Sequence, residues 1–199
     1  MRTFVLRSRK GNIDRIENQI GTSAHVEIIA HALANIFFYS NGMREDVEAY
    51  IVLDSSPDFP RTIHLIANQD LSLPGFHEIA LLGVIADALA KAKNIAKDQV
   101  ISVAPSIEVI GFGFERLLQK LLETRTVYIL NKKGDDIRTI ELDQDSVFVL
   151  SDHLAMPKNS IKSLERRGLK KISLGRKTLF ASQCIVLVNH ELDRQLDMS

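Results

Sequence analysis

The residues best suited to chemistry lie in two short groups. Asp152 and His153 directly follow a short apolar segment, where a functional loop could lie, although a turn aspartate beside an exposed histidine is the commoner meaning of such a pair. His25, Glu27 and His31 lie within two turns of one predicted helix, and the last two have the i,i+4 spacing of a surface pair. On spacing alone, neither group identifies a reaction.

Several common catalytic motifs are absent from the sequence. It contains no phosphate-binding loop, no HExxH pair and no GxSxG nucleophile elbow, and its six histidines show no metal-ligand spacing, so no metal is predicted. The run from Gly111 to Gly113 lacks the third glycine of a dinucleotide fingerprint and is interpreted as a turn that starts a helix. Cys184 is the only cysteine, which excludes an intrachain disulfide and favours a buried structural thiol.

Basic residues are concentrated in one part of a chain that carries 25 basic and 25 acidic residues in total. Eight of them share a segment with a single acid, Glu165; they are Lys158, Lys162, Arg166, Arg167, Lys170, Lys171, Arg176 and Lys177. A second basic group opens the chain and consists of Arg2, Arg7, Arg9, Lys10 and Arg15. Such clusters are either solvated surface or a place for the phosphates of a nucleic acid.

Segments typical of strands alternate with segments typical of helices along the chain. The predicted strands are residues 3–7, 47–53, 62–67, 127–130, 147–150 and 172–174. The predicted helices are residues 23–39, 77–96, 114–122, 158–167 and 182–194, and a polar turn at 133–135 is expected to make a hairpin. This alternation predicts an α/β fold with a mainly parallel sheet.

The predicted sheet also indicates where a ligand would bind. Ligands of such sheets lie beyond the carboxyl ends of the parallel strands. In this sequence those ends are followed by the loops after Leu130, Leu150 and Leu174.

The composition is that of an ordinary globular protein, with 45% hydrophobic and 25% charged residues. No abrupt shift or repeat divides the chain, so one domain over residues 1–199 is predicted. No segment has the length of a membrane span or the pattern of a signal peptide, and a cytoplasmic location without membrane association is expected.

Several stretches resemble one known family. They are MRTFVLR at 1–7, SNGMREDV at 40–47 and, in the last third, VFVLSDH from 147, KISL from 171 and ASQCI from 181. APSI from 104, followed by Gly113 and Phe114, is a further match. Together they resemble the TrmY family of tRNA pseudouridine N1-methyltransferases, in the SPOUT superfamily, over nearly the whole chain.

The resemblance implies a fold, an assembly and a cofactor. The fold would be a SPOUT-type sheet flanked by helices with a C-terminal trefoil knot over about residues 126–199, and the assembly a homodimer that acts on RNA. The cofactor would be S-adenosylmethionine, held by the knot loops. Carried over residue by residue, its binding positions are Leu130, Ser151, Leu174, Gly175, Arg176, Lys177, Thr178, Leu179 and Cys184.

The sequence departs from the family mainly on the substrate side. The family's Gly-Arg-Leu-Asp motif reads AHVE from 24, and its arginine pair is replaced by Ile110 and Gly111. Beside the cofactor, where the family usually has glycine, this chain has Ser151. Methyl transfer is therefore expected, and the RNA target, tRNA or another structured RNA, stays open.

The implied reaction needs an activated methyl group aligned with its acceptor and a base for the weakly acidic N1 proton. Glu27, in the place of the family's aspartate, is the first candidate for that base and His25 the second, and the rival interpretation of Glu27 is a surface helix charge. The target base must be unstacked, which favours a loop nucleotide, and basic residues of the segment 158–176 would hold its phosphates.

Two alternatives to this activity remain. A non-catalytic RNA-binding relative is suggested by the altered residues 25–27 and 110–111. A methyltransferase that acts on a different RNA base is the other.

Overall fold

The computed structural model describes residues 1–9, 24–56, 58–152, 154 and 156–196, without the side chains at 24, 25, 158 and 196. Its strands are β1 (Arg2–Ser8), β2 (Phe38–Tyr39), β3 (Gly42–Met43), β4 (Val47–Leu53), β5 (Arg61–Ile66), β6 (Val100–Ala104), β7 (Ile107–Ile110), β8 (Val127–Asp136), β9 (Val147–Ser151) and β10 (Lys170–Ser173). Its α-helices are α1 (Ala24–Phe37), α2 (Glu78–Lys91), α3 (Phe114–Leu122), α4 (Lys158–Glu165) and α5 (Ala181–Leu196).

One mixed sheet holds most of the strands, in the order β10-β8-β9-β1-β4-β5-β7-β6. The strands from β10 to β4 are parallel neighbours, whereas β5, β7 and β6 add an antiparallel part. The predicted α/β fold is confirmed, but the parallel arrangement covers only this half of the sheet. β6 and β7 are not predicted from the sequence because they are short and meet at a tight turn, where Ser106 has a φ of 61°.

The predicted hairpin at residues 133–135 is wrong. β8 continues in the same direction, with Ile129 paired to Lys171 and Asp135 paired to the next residue of β10, Ile172. Residues 130–134, which we call the β8 bulge, therefore leave the ladder between two consecutive pairs. Gly134 closes the bulge directly against the β10 backbone, where a Cβ atom would collide with the main chain of Lys171 and Ile172.

Helices cover both faces of the sheet. One face packs on α1, α2 and α5 around fully buried residues such as Phe4, Leu6 and Phe148. The other packs on α3 and α4 around residues such as Val5 and Phe114. Each large apolar side chain buried here contributes about 1.5–3 kcal/mol to the free energy of unfolding.

Two helices cross from the carboxyl edge of the parallel strands to their amino edge. At the amino edge, Arg2 of β1 donates to Asp193 of α5 at 2.8 Å and to Asp46 at 2.6 Å. Arg44, which follows α1, also donates to Asp193, at 2.6 Å. α1 and α5 therefore end together, and both begin at the carboxyl edge. Within the described ranges, no helix has the length and apolar character needed to cross a membrane.

Candidate functional site

Three loops lie at one edge of the sheet: the β8 bulge, which begins at Leu130, and the loops after β9 and β10. β8 is the neighbour of both other strands, and Ile129 pairs with Lys171 of β10 and with Val149 of β9. Leu130 follows these pairs directly, and Ser151 is two residues beyond Val149. Leu130 and Ser151, which are far apart in the sequence, therefore lie close to each other along the strand direction at the carboxyl edge.

Three apolar residues of these loops and of α5 lie on the face covered by α1 and α5, and we call them the apolar wall. Leu130, Leu174 and Cys184 pack against the same core cluster, and each of them is only half-buried. Burial raises the pKa of the Cys184 thiol to about 11, so the thiol is neutral at physiological pH. The wall therefore offers apolar contact and carries no charge of its own.

The loop between β10 and α5 has a defined turn. The N–H of Gly175 donates to Oγ of Ser173 at 3.1 Å, and Gly175 has a φ of 117°, a left-handed conformation that favours glycine. Arg176, Lys177 and Thr178 of this loop are exposed. Leu179 is half-buried, and the N–H of Phe180 donates to Gln183 at the start of α5.

Ser151 lies beside a buried arginine. It pairs with Arg7 in the ladder between β9 and β1. The Arg7 guanidinium donates to Asp54 at 2.7 Å, lies 3.2 Å from Glu115 and stacks on Phe114 with its carbon 4.3 Å from the ring centre. These contacts fix the carboxyl ends of β1 and β4 next to the loop after β9.

Asp152 connects the exits of β1 and β9. Its carboxylate accepts hydrogen bonds from the backbone N–H of Arg9 at 2.7 Å and of Leu154 at 3.0 Å. Its own N–H donates to the carbonyl oxygen of Arg7 at 2.9 Å, and the residue is buried. Asp152 is therefore a structural link between two loops of the site, and its neighbour His153 lies outside the described residues.

Glu27 lies in the first turn of α1, at the same edge of the sheet. α1 and α5 run side by side, and the Asn189 side chain of α5 donates to the carbonyl oxygen of Asn35 in α1 at 3.1 Å. Eight residues back from each asparagine, about 12 Å along each axis, lie Ala181 and Glu27. Glu27 is thus level with the first turn of α5 and is half-buried. The side chain of His25 lies outside the described residues.

The replaced arginine pair has a structural explanation. Ile110 is buried in the core cluster on the α3 and α4 face. The N–H of Gly111 donates to the carbonyl oxygen of Gln99 at 2.8 Å, and a Cβ atom at Gly111 would collide with the carbonyl oxygen of Ala96. No side chain fits at Gly111, so these two positions serve packing here.

The basic segment is largely exposed. Lys171 forms an ion pair with Glu165, and the side chain of Lys158 lies outside the described residues. The exposed members are Lys162, Arg166, Arg167, Lys170, Arg176 and Lys177. In the N-terminal basic group, Arg2 and Arg7 are buried in ion pairs. Arg2 and Arg7 are therefore engaged within the fold, and Lys10 and Arg15 of this group lie outside the described residues.

A buried ionic cluster on the α3 and α4 face was not found from the sequence. Glu48 accepts from Oγ1 of Thr3 at 2.7 Å, lies 2.6 Å from Nε2 of His64 and pairs with Arg125. Burial alone would raise the pKa of Glu48, but these hydrogen bonds outweigh it and lower the pKa to about 2. The available signal was a single acid inside the apolar strand Val47–Leu53.

The cavity at the amino edge is a poorer candidate for the site. It has a volume of about 300 Å³ and is lined in part by Arg2, Asp46, Glu141 and Asp143. The ion pairs of Arg2 already hold this region together, and ligands of parallel sheets bind at the opposite edge. Within the described part of the chain, no group of three His, Cys, Asp or Glu side chains could hold a metal ion.

Comparisons with known proteins show which family this chain resembles. Residues 1–196 match the family described as "Putative SAM-dependent RNA methyltransferase". A Vibrio parahaemolyticus protein named "Putative pseudouridine methyltransferase" is 44% identical over 195 residues, 97% of this chain and 98% of that protein. A Shewanella frigidimarina protein of the same name is 45% identical over 198 residues, 98% of this chain and 100% of that protein.

The fold also has a solved counterpart. Archaeoglobus fulgidus Nep1, bound to S-adenosylhomocysteine, is similar with a TM-score of 0.62 at 16% identity, over 97% of this chain and 96% of that one. This likeness supports the fold, and the match over residues 1–196 supports the activity. The chain belongs to the family of S-adenosylmethionine-dependent RNA methyltransferases.

Proposed function

We propose that this enzyme methylates N1 of a pseudouridine in a structured RNA, with tRNA as the first substrate to test. The observation that carries the proposal is the meeting of three loops with the first turn of α1, which brings Glu27 to the carboxyl edge of the parallel strands. The names of the relatives support pseudouridine as the target. Membership of the family favours methyl transfer over a non-catalytic RNA-binding role.

The residues of the carboxyl edge fit S-adenosylmethionine. The neutral wall of Leu130, Leu174 and Cys184 suits an adenine ring, and residues 175–179 supply backbone groups for the polar parts of the molecule. Ser151 lies across the site on the β9 side, where its hydroxyl can bind the cofactor. We also propose that these loops belong to the C-terminal trefoil knot, over about residues 126–199, that the family resemblance implies.

The assembly in this proposal is a homodimer. α5 follows the cofactor loop, and exposed apolar side chains lie just before it and within it: Phe180 is 71%, Val186 48% and Leu187 40% exposed. An exposed group of this kind is typical of a protein interface. A second copy of the chain packed on α5 would cover these side chains and bring two sites together.

The mechanism requires alignment and one proton transfer. When bound, S-adenosylmethionine supplies a methyl group already activated by a positive sulfur. Glu27 would accept the N1 proton of pseudouridine, and N1 would take that methyl group from the donor, which would leave as S-adenosylhomocysteine. The β8 bulge and the loops after β9 and β10 would hold the donor, and holding two reactants in this geometry accounts for much of a rate enhancement.

Thermal unfolding tests cofactor binding first. Cofactor at about 100 times its dissociation constant adds ~2.7 kcal/mol to the free energy of unfolding, or roughly 5–10 °C in Tm. A Ser151→Trp variant should lose this shift because the indole fills the site. No shift in the wild type would contradict the cofactor site.

Methyl transfer then tests the target base. Two RNA stem-loops, identical except for uridine or pseudouridine at one loop position, are incubated with enzyme and methyl-labelled cofactor. We expect label only in the pseudouridine RNA. Equal labelling of both would indicate a different base, and no labelling despite cofactor binding would contradict the proposed reaction.

A further inference from the structure

The β8 bulge carries a second basic group to the edge of the sheet. Lys132 and Lys133 lie in this bulge and are exposed. The bulge is held in shape because the N–H of Lys133 donates to Oδ1 of Asn131 at 2.9 Å and Gly134 abuts the β10 backbone. Two lysines outside the basic segment 158–177 are therefore fixed next to β10.

β10 collects basic side chains from both parts of the sequence. Lys170 of β10 is exposed, with its ammonium 5.8 Å from the ring centre of Tyr128. Arg166 and Arg167 precede the strand, and the loop after it exposes Arg176 and Lys177. β10 ends the sheet in the strand order, so these residues and the bulge lysines surround an edge strand.

The acids of this region do not balance the basic residues. Glu165 pairs with Lys171, and Asp136 pairs with Arg138 at 2.5 Å. Asp135, at the end of the bulge, is an exposed carboxylate. A local excess of positive charge is left on a chain with no net charge. Clustered lysines and arginines of this kind bind phosphates and release their counterions.

We propose that the β8 bulge is part of the RNA-binding surface, with Lys132 and Lys133 on phosphates of the substrate strand as it crosses β10. The proposal rests on the RNA methyltransferase function proposed above. The bulge begins at Leu130, which lies in the apolar wall of the cofactor site. RNA held by the bulge lysines would thus be adjacent to the methyl donor.

Edge strands offer a competing explanation. Lysines beside an exposed edge can serve only to prevent edge-to-edge pairing with another sheet. In that case their removal would promote aggregation and leave RNA binding unchanged. The two explanations therefore differ in what a charge-neutral substitution does.

The test is the salt dependence of RNA binding by a Lys132→Gln/Lys133→Gln variant. The probe is the pseudouridine-containing stem-loop, and affinity is measured over a range of salt concentrations. Loss of two phosphate contacts lowers the slope of log affinity against log salt by about 1.4 for a single strand. Lys93→Gln/Lys97→Gln removes two exposed lysines of the turn after α2 and should leave the slope unchanged.

The outcomes separate this inference from the proposed function. An unchanged slope, with or without aggregation of the bulge variant, overturns the role of the bulge even if pseudouridine is methylated normally. An equal fall of the salt-dependence slope in the Lys93→Gln/Lys97→Gln control also overturns it, because the effect then follows from the loss of positive charge anywhere on the protein. A lower slope in the bulge variant alone supports RNA binding by the bulge, even if the wild-type enzyme methylates a base other than pseudouridine.

Discussion

Glu27 is the residue on which the proposed proton transfer depends. The residue lies in the first turn of α1, at the carboxyl edge of the parallel strands. We predict that Glu27→Gln lowers the single-turnover rate of methyl transfer by about 10²–10⁴-fold, because general base catalysis contributes that much. The cofactor-induced rise in Tm should remain. Single-turnover labelling of the pseudouridine stem-loop measures the effect.

A matched carboxylate provides the control for Glu27. Glu78 occupies the first turn of α2 and pairs with His31 at 2.7 Å. Glu78→Gln should keep the wild-type rate. If Glu27→Gln also keeps it, the base lies elsewhere and Glu27 is a surface helix charge.

Cys184 allows a direct test of the proposed cofactor site because it is the only cysteine. Burial raises its pKa from 9.0 to about 11, so its thiolate fraction at pH 7 falls roughly a hundredfold and alkylation should be slow. The rate should climb as pH rises towards 11. Saturating S-adenosylhomocysteine should slow it further, since Cys184 belongs to the apolar wall. If S-adenosylhomocysteine does not change the alkylation rate, Cys184 is not part of the cofactor site.

The loops depend on links between elements, and Asp152 is the clearest of them. Its two carboxylate oxygens accept from Arg9 and Leu154, whereas an asparagine would offer a single acceptor oxygen. We predict that Asp152→Asn costs about 1–3 kcal/mol of unfolding free energy and weakens cofactor binding. Calorimetric titration with S-adenosylhomocysteine measures the affinity.

An aspartate at the amino edge provides the comparison for Asp152. Asp143 accepts a bond from Thr126 at 3.3 Å in an exposed position. Asp143→Asn should change neither stability nor cofactor affinity. Equal affinity for Asp152→Asn and the wild type would show that the link is not needed for the site.

The elements that the sequence predicted are those with a clear period or a clear boundary. The apolar run Val47–Leu53 and the spacing of α1 both indicate their elements, and Gly113 does start α3. The β8 bulge has no such signal, since KKGD at 132–135 has the composition of a hairpin turn. The contact of Gly134 with β10 distinguishes a bulge from a hairpin turn, and that contact is between residues distant in sequence.

The carboxyl-edge location followed from strand order, which the sequence could indicate only in part. Alternation of strands and helices predicted the loops after Leu130, Leu150 and Leu174, and the structure places the corresponding strands side by side. The roles of Arg7 and Gly111 could not be predicted because each is defined by a tertiary contact. In the sequence they are one basic residue and one glycine among several.

At the scale of the whole molecule, the two edges of the parallel strands differ: the proposed site lies at the carboxyl edge, and structural ion pairs lie at the amino edge. The carboxyl edge carries the three loops and the start of α1. The amino edge carries the ion pairs of Arg2 and Arg44 with Asp193, which tie the end of α5 to the sheet. Burial raises the pKa of Asp193, but hydrogen bonds from Arg44 and Arg2 outweigh it, and the net shift is downward.

The stability of the sheet at acid pH depends on Glu48. Its folded pKa of about 2 lies below its ordinary value of 4.5, so its contribution is complete above pH 4.5 and is lost as pH falls towards 2. At pH 7, Glu48→Gln leaves the Arg125 charge without its buried partner and should cost about 3–5 kcal/mol. We predict that this difference from the wild type shrinks between pH 4.5 and 2.

Denaturant unfolding at a series of pH values measures that difference. Glu108 lies on the other side of the same histidine, with Oε2 3.4 Å from Nδ1 of His64, and its side chain is 38% exposed. Glu108→Gln should therefore cost no more than about 1 kcal/mol at any pH. If Glu48→Gln costs the same at pH 3 as at pH 7, the carboxylate is not the source of the stability. The packing of the Glu48 side chain between β1, β5 and Arg125 would then account for the loss instead.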